Sequence, residues 1–154
     1  MPTEIKDKYG ASTALTITLA SLGNGSARQS TIVDNTTDRW SRVIIYAKIK
    51  QGTSPTGNRT VTAYLLRDDN HGTNHRTDGA GASDAAITLL NAQLIGILNN
   101  KPSPTTGDVL YGEFIIDNPG PRWGLAIQND TGVNLDSTGA NHWVRYVGIN
   151  PEAQ

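Results

Sequence analysis

Apolar residues recur along this chain in short alternating runs, and each run is closed by Gly, Pro, Asn or Asp. Eight such runs cover most of it: 13–22, 31–33, 42–50, 60–67, 87–98, 109–117, 122–128 and 142–149. A period of two puts every second side chain on one face, and turn residues at this spacing return the chain into antiparallel neighbours. The pattern predicts an all-β fold of about eight strands, an antiparallel β-sandwich, and argues against helical and α/β classes.

The strongest run is 42–50. Val43, Ile45, Ala47 and Ile49 point one way while Ile44 and Tyr46 point the other. Two apolar faces mark a central strand, or one whose second face a neighbouring subunit covers. Leu15, Ile17 and Leu19 alternate with Thr16 and Thr18. Val61, Ala63 and Leu65 alternate with Tyr64 and Leu66. Segments 51–58 and 101–107 read as loops, 68–84 is the longest polar insertion, and 118–121 (Asn-Pro-Gly-Pro) is a turn. The mixed periodicity of Ala85, Ala86, Leu89 and Leu90 allows a helical turn or two within 84–93. Residues 1–11 read as a polar N-terminal arm in which only Ile5 and Tyr9 are sizeable and apolar, so 12–154 is expected to be a single sandwich domain.

Composition narrows the setting. At 154 residues the chain is long enough for one core. Only 18% of residues are charged, so Thr, Asn, Ser and Gly supply the polar surface, as suits an extracellular or virion protein. A net charge of −1 gives no basic excess to drive counterion release from nucleic acid, and nucleic acid is not an expected partner. The absence of cysteine removes disulfides and thiolate chemistry. The charged N-terminus has no apolar signal core, and no apolar stretch nears the roughly 20 residues that span a bilayer. Synthesis in the cytoplasm without membrane insertion is the expectation.

Candidate chemistry is sparse. Histidine and aspartate crowd together only in 67–78, where His71 and His75 have helical metal spacing, but Gly72 and Asn74 oppose a helix. Asp68-Asp69-Asn70 resembles the start of a calcium loop, yet no Glu falls at the twelfth position and the Gly is misplaced. Carboxylates are scattered singly, and Glu113 inside an apolar strand should face outward or pair with Arg42 or Arg122. No nucleophile-elbow motif is present. An enzyme, a metal site and a cofactor are therefore not expected. Trp40, Trp123, Trp143, Tyr46, Tyr64, Tyr111 and Tyr146 either line a carbohydrate platform or serve as core plugs and interface anchors. Ile5 and Tyr9 in the arm, with Trp40 and Tyr46 around the two-faced strand, are the candidate partner-binding residues.

Ser30-Thr-Ile-Val-Asp-Asn-Thr-Thr37, the strand 43–50 and Gly52-Thr-Ser-Pro-Thr-Gly-Asn58 carry a resemblance. So do Pro121-Arg-Trp-Gly-Leu-Ala-Ile-Gln-Asn-Asp-Thr-Gly132, Leu135-Asp-Ser-Thr-Gly139 and Tyr146-Val-Gly148. Over about residues 30–150 the chain resembles a family of small virion proteins of tailed bacteriophages, through motifs that are mostly turns and strand edges. The resemblance implies a jelly-roll type of β-sandwich, a place on the virion and no catalytic residues. It favours a capsid decoration (cement) protein on the outer surface of the shell, with the major capsid protein and its own copies, as a homotrimer, for partners. A tail or head-fibre component with a carbohydrate-binding sandwich is the alternative.

Overall fold

The computed structural model describes residues 4–71, 77–79 and 81–153. Among them the strands run β1 (Ile5–Tyr9), β2 (Thr13–Leu15), β3 (Ser26–Gln29), β4 (Val33–Asp34), β5 (Arg42–Lys50) and β6 (Thr60–Asp68). They continue as β7 (Ala85–Ile87), β8 (Gln93–Asn99), β9 (Val109–Asp117), β10 (Arg122–Asp130) and β11 (Trp143–Ala153). One sheet has the order β1-β11-β5-β9, with β2 also on β11. The other has the order β7-β3-β10-β6-β8, with β4 also on β10. Every pairing is antiparallel, and the two sheets pack face to face as the sandwich that the alternation predicts.

The core is the period-two pattern realised in space. Buried and half-buried residues alternate along β5, so Val43, Ile45, Ala47 and Ile49 turn inward. They join Val61, Ala63 and Leu65 of β6 and Trp123, Leu125 and Ile127 of β10 in one apolar cluster. Fully burying a Val, Leu or Ile side chain contributes about 1.5–3 kcal/mol, so this layer dominates the stability of the fold. On one flank the sheets draw together through missing side chains. A Cβ on Gly96 of β8 would fall within the ring of Phe114 on β9, and one on Gly112 would overlap Leu98.

Four elements differ from the sequence reading. Residues 5–9 are not a free arm, because β1 pairs along its whole length with Ile149 to Ala153 of β11. An edge strand needs hydrogen bonds on one side only and no buried side chain, and all five residues of β1 are exposed. Hydrophobic alternation therefore gave no sign of it. The run 13–22 keeps only Thr13–Leu15 as strand, although Leu19 remains in the core. No alternating run marks β3, because its buried residues are Ala27 and the polar Gln29. The Gln29 amide donates to the Gly81 and Ser83 carbonyls at 3.1 and 2.7 Å, which makes its burial tolerable. No helical turn forms in 84–93. β7 occupies its start, and the backbone N–H groups of Leu90, Asn91 and Ala92 donate to the Asp78 carboxylate instead.

That last arrangement covers the centre of the outer face of the second sheet, while Leu94 and Ile97 of β8 stay exposed beside it. Leu66 and Ala126 are fully buried there beneath Ile87, Leu89, Ala92 and Tyr64, a second small core outside the main one. Among the described residues no helix is long and apolar enough to cross a membrane.

Candidate functional site

The outer face of the first sheet carries no such cover. Residues directly opposite in antiparallel register share a face, so the pairings define its rows. Ile115, Ile44 and Val147 form the central row. On one side lie Glu113, Tyr46 and Arg145, followed by Tyr111, Lys48 and Trp143. On the other side Asp117, Arg42, Ile149 and Tyr9 follow, with Ile149 itself buried at 4% exposure, and Pro151, Asp7, Ala153 and Ile5 extend the face along the β1–β11 ribbon. Burial shows how open it is: Ile115 is 54% exposed, Tyr111 67%, Tyr9 61% and Ile5 71%. Fully buried large side chains on the inner faces and these exposed ones on the outer face come from the same alternating strands.

Charge is distributed unevenly across this face. Glu113 and Asp117 lie on the edge strand β9, while Arg42, Lys48 and Arg145 lie on β5 and β11. Arg42 Nε donates to Asp117 Oδ1 at 2.9 Å, and that carboxylate, aided by Asp7 and Tyr9, pushes the guanidinium pKa further up. Glu113 faces outward as expected, but neither proposed arginine is its partner. Arg42 is engaged with Asp117, and Arg122 lies 3.9 Å from buried Asp68. Arg145 donates to the hydroxyl and carbonyl of Ser12 at 2.9 and 3.0 Å. The result is an apolar stripe flanked by fixed charges, which suits a protein partner better than a small molecule.

Of the four candidate partner-binding residues, the structure brings Ile5, Tyr9 and Tyr46 onto this one face. Trp40 is elsewhere. It packs against the main core at the end of the sandwich, where Gly10 and Gly148 leave room for its indole. The aromatics form no single platform: Trp123 is fully buried, Tyr64 lies over the second sheet, and Tyr111 and Trp143 belong to the open face. The signal for Ile115 was in the sequence, in the alternation of Tyr111, Glu113, Ile115 and Asp117 against Leu110, Gly112, Phe114 and Ile116.

The polar candidates serve the loops that hold them. Asp68 Oδ1 accepts the Asn70 N–H at 2.7 Å and Asp69 Oδ1 accepts the His71 N–H at 2.8 Å, so both carboxylates cap their own turns. His75, the second half of the His pair, lies outside the described residues. Among the described residues no three His, Asp or Glu side chains stand close enough to hold a metal ion. A buried histidine that the sequence reading passed over, His142, ties β5 to the 133–138 loop. Its Nδ1 accepts the Lys50 N–H at 3.3 Å, and its Nε2 lies 2.9 Å from the Asp136 carbonyl. Asp136 itself accepts from Asn141 and the Thr138 N–H and pairs with Lys50 at 3.1 Å, which together hold its pKa well below the usual carboxylate range. These are structural clasps.

No family model matches this chain, and no curated protein matches it.

Proposed function

We propose that this protein is a structural component of a tailed-bacteriophage virion, a capsid decoration protein that binds the outer surface of the major capsid protein shell and stabilises the head. One observation supports the reading most: the chain covers Leu66 and Ala126 at the centre of the outer face of its second sheet with its own 87–92 segment, and leaves Ile5, Tyr9, Tyr111 and Ile115 exposed together on the outer face of its first sheet. A rigid sandwich with one unfinished face is what a cementing module requires, since it works by contact area and not by chemistry. The particular setting, a phage head, comes from the resemblance of residues 30–150.

Self-association belongs to the same proposal, with three copies around a symmetry axis of the shell. Both outer strands of the first sheet, β9 and the β1–β2 edge, have an unpaired side, and closed symmetric association is a common way to protect such edges. A stable contact buries about 800 Å² on each partner, which an open face of three to four strands can supply together with the β1 ribbon. The test is co-sedimentation with empty, preassembled phage shells beside light scattering of the free protein. Saturable binding to shells that Ile115→Asp weakens at least tenfold is the expected result. Full-strength shell binding by that variant removes the open face from the proposal, and no binding to any shell removes the decoration role.

A further inference from the structure

We infer that the end of the sandwich around Trp40 is a saccharide-binding pocket, a site separate from the open sheet face and independent of the decoration role. Loops 34–41 and 117–121 line a shallow, open depression of about 460 Å³, within the size range of small-ligand sites. Its walls are Trp40, Arg39, Thr36, Ser41, Asn118 and Pro121. This is one aromatic ring with polar groups around it, the pairing that recognises a pyranose: the apolar face of the sugar stacks on the ring while hydroxyls meet the rim.

The ring is held in place before any ligand arrives. A Cβ on Gly148 would fall inside the indole and one on Gly10 would lie 2.8 Å from it, so the two glycines form a flat seat behind the ring. The backbone of Trp40 is pinned from both sides by a single buried side chain. Asn35 Oδ1 accepts the Trp40 N–H at 2.8 Å, and Asn35 Nδ2 donates to the Trp40 carbonyl at 3.2 Å and the Gly120 carbonyl at 2.9 Å. The same amide therefore joins the two loops that form the pocket.

Two of the seven non-glycine residues with left-handed φ angles among the described residues lie at this rim: Arg39 and Asn118, at 53° and 49°, one in each loop. Asparagine tolerates that region, but for a bulky side chain such as Arg it is uncommon, and such residues concentrate at ligand sites when their surroundings enforce them. Here the surroundings do: the Arg39 N–H donates to the Asn35 carbonyl at 2.9 Å, and the Asn118 N–H donates to the Ser41 carbonyl at 2.8 Å. Arg39 Nε donates to the Thr36 carbonyl at 3.2 Å. Its terminal nitrogens and the Asn118 amide have no partner among the described residues, and they are the donors and acceptor that hydroxyls would use.

The test is titration of the full chain, in a Trp143→Phe background that silences the exposed indole of the open face, with soluble cello-, chito- and manno-oligosaccharides and oligogalacturonate. Tryptophan fluorescence reports the pocket and circular dichroism reports the fold. Saturable quenching by at least one of these glycans at millimolar concentration or below is expected, weakened tenfold or more by Asn118→Ala and by Arg39→Ala, with unchanged circular dichroism. Trp40→Phe keeps the seat filled and should retain part of the affinity, read by titration calorimetry because this variant lacks the fluorescent reporter. Absence of quenching by every glycan, or quenching that both rim variants leave intact, overturns the inference. Because shell binding is read separately, either result leaves the decoration role to its own test.

Discussion

Trp123 of β10 and Tyr146 of β11 meet edge to face, with ring centroids 5.2 Å apart and planes at 82°, and this contact joins the two sheets inside the core. Edge-to-face aromatic pairs contribute about 0.5–1.5 kcal/mol beyond the area they bury. Truncating Trp123→Ala should cost about 3–5 kcal/mol, much of the stability of an ordinary domain. Trp123→Phe should cost far less than its lost volume implies. Trp123 Nε1 is buried with no acceptor among the described residues, and replacing the indole removes that unsatisfied donor. Urea unfolding of the two variants beside the parent checks both figures, and a Phe variant as unstable as the Ala variant would contradict the argument.

On the open face the same kind of substitution should do something different. Ile115 is half exposed and contributes little to the folded monomer, so Ile115→Asp should change the urea midpoint slightly and reduce self-association strongly. Removing residues 1–9 should behave alike, because every residue of β1 is exposed and the core cluster contains none of them. Ile5 and Tyr9 leave the open face with β1, so the truncated chain should keep a strand-dominated circular dichroism spectrum while its mass by light scattering falls. A truncated chain that unfolds would show that the ribbon is part of the cooperative unit.

Acid sensitivity follows from two aspartates. Lys101, with the N–H and hydroxyl of Thr105, lowers Asp108 from 3.8 to about 2, and Asn141, Thr138 and Lys50 hold Asp136 lower still. A carboxylate whose folded value is depressed stabilises the fold fully above its unfolded value, and that stability is lost as pH falls toward the folded value. Stability should therefore be flat near neutrality and decline from about pH 4 downward. Asp136→Asn should lower the urea midpoint at pH 7, with the gap from the parent narrowing below about pH 4. A constant gap across that range would mean that the charge of Asp136 is irrelevant to its clasp.

How much of this was legible depends on what each strand buries. β5 and β9 have the bounds that alternation marks, since their inner residues are aliphatic or aromatic and their turns are closed by Gly, Pro or Asn. β3 and β1 escape the pattern for opposite reasons: one buries Gln29 through side-chain hydrogen bonds to a distant loop, the other buries nothing. The open face was half legible, because Ile44 and Tyr46 advertise a second apolar side of β5. That β9, β11 and β1 would align Ile115, Tyr111, Tyr9 and Ile5 beside them depends on register across the sheet, and register is a property of the assembled fold. The placement of Trp40 depends on Gly10 and Gly148, far apart in sequence, both yielding space to one ring.

Asp78 provides the last prediction, about the covered face. Its two carboxylate oxygens accept the backbone N–H groups of Leu90, Asn91 and Ala92 at 3.1, 2.8 and 3.1 Å, holding the segment that lies over Leu66 and Ala126. Hydrogen bonds to a charged group are each worth about 1.5–3 kcal/mol, and here three are made to one short segment with no regular structure of its own. Asp78→Ala leaves those N–H groups without their acceptor while removing no apolar contact from the main core. The 89–92 amides should then exchange with solvent much faster, and the variant should bind a hydrophobic dye through the uncovered Leu66 region. Amides of β5 and β10 should keep their protection, because the sandwich core does not depend on the cover. Hydrogen exchange read residue by residue separates the two outcomes: uniform acceleration across the sheets would mean that the cover and the core unfold as one unit.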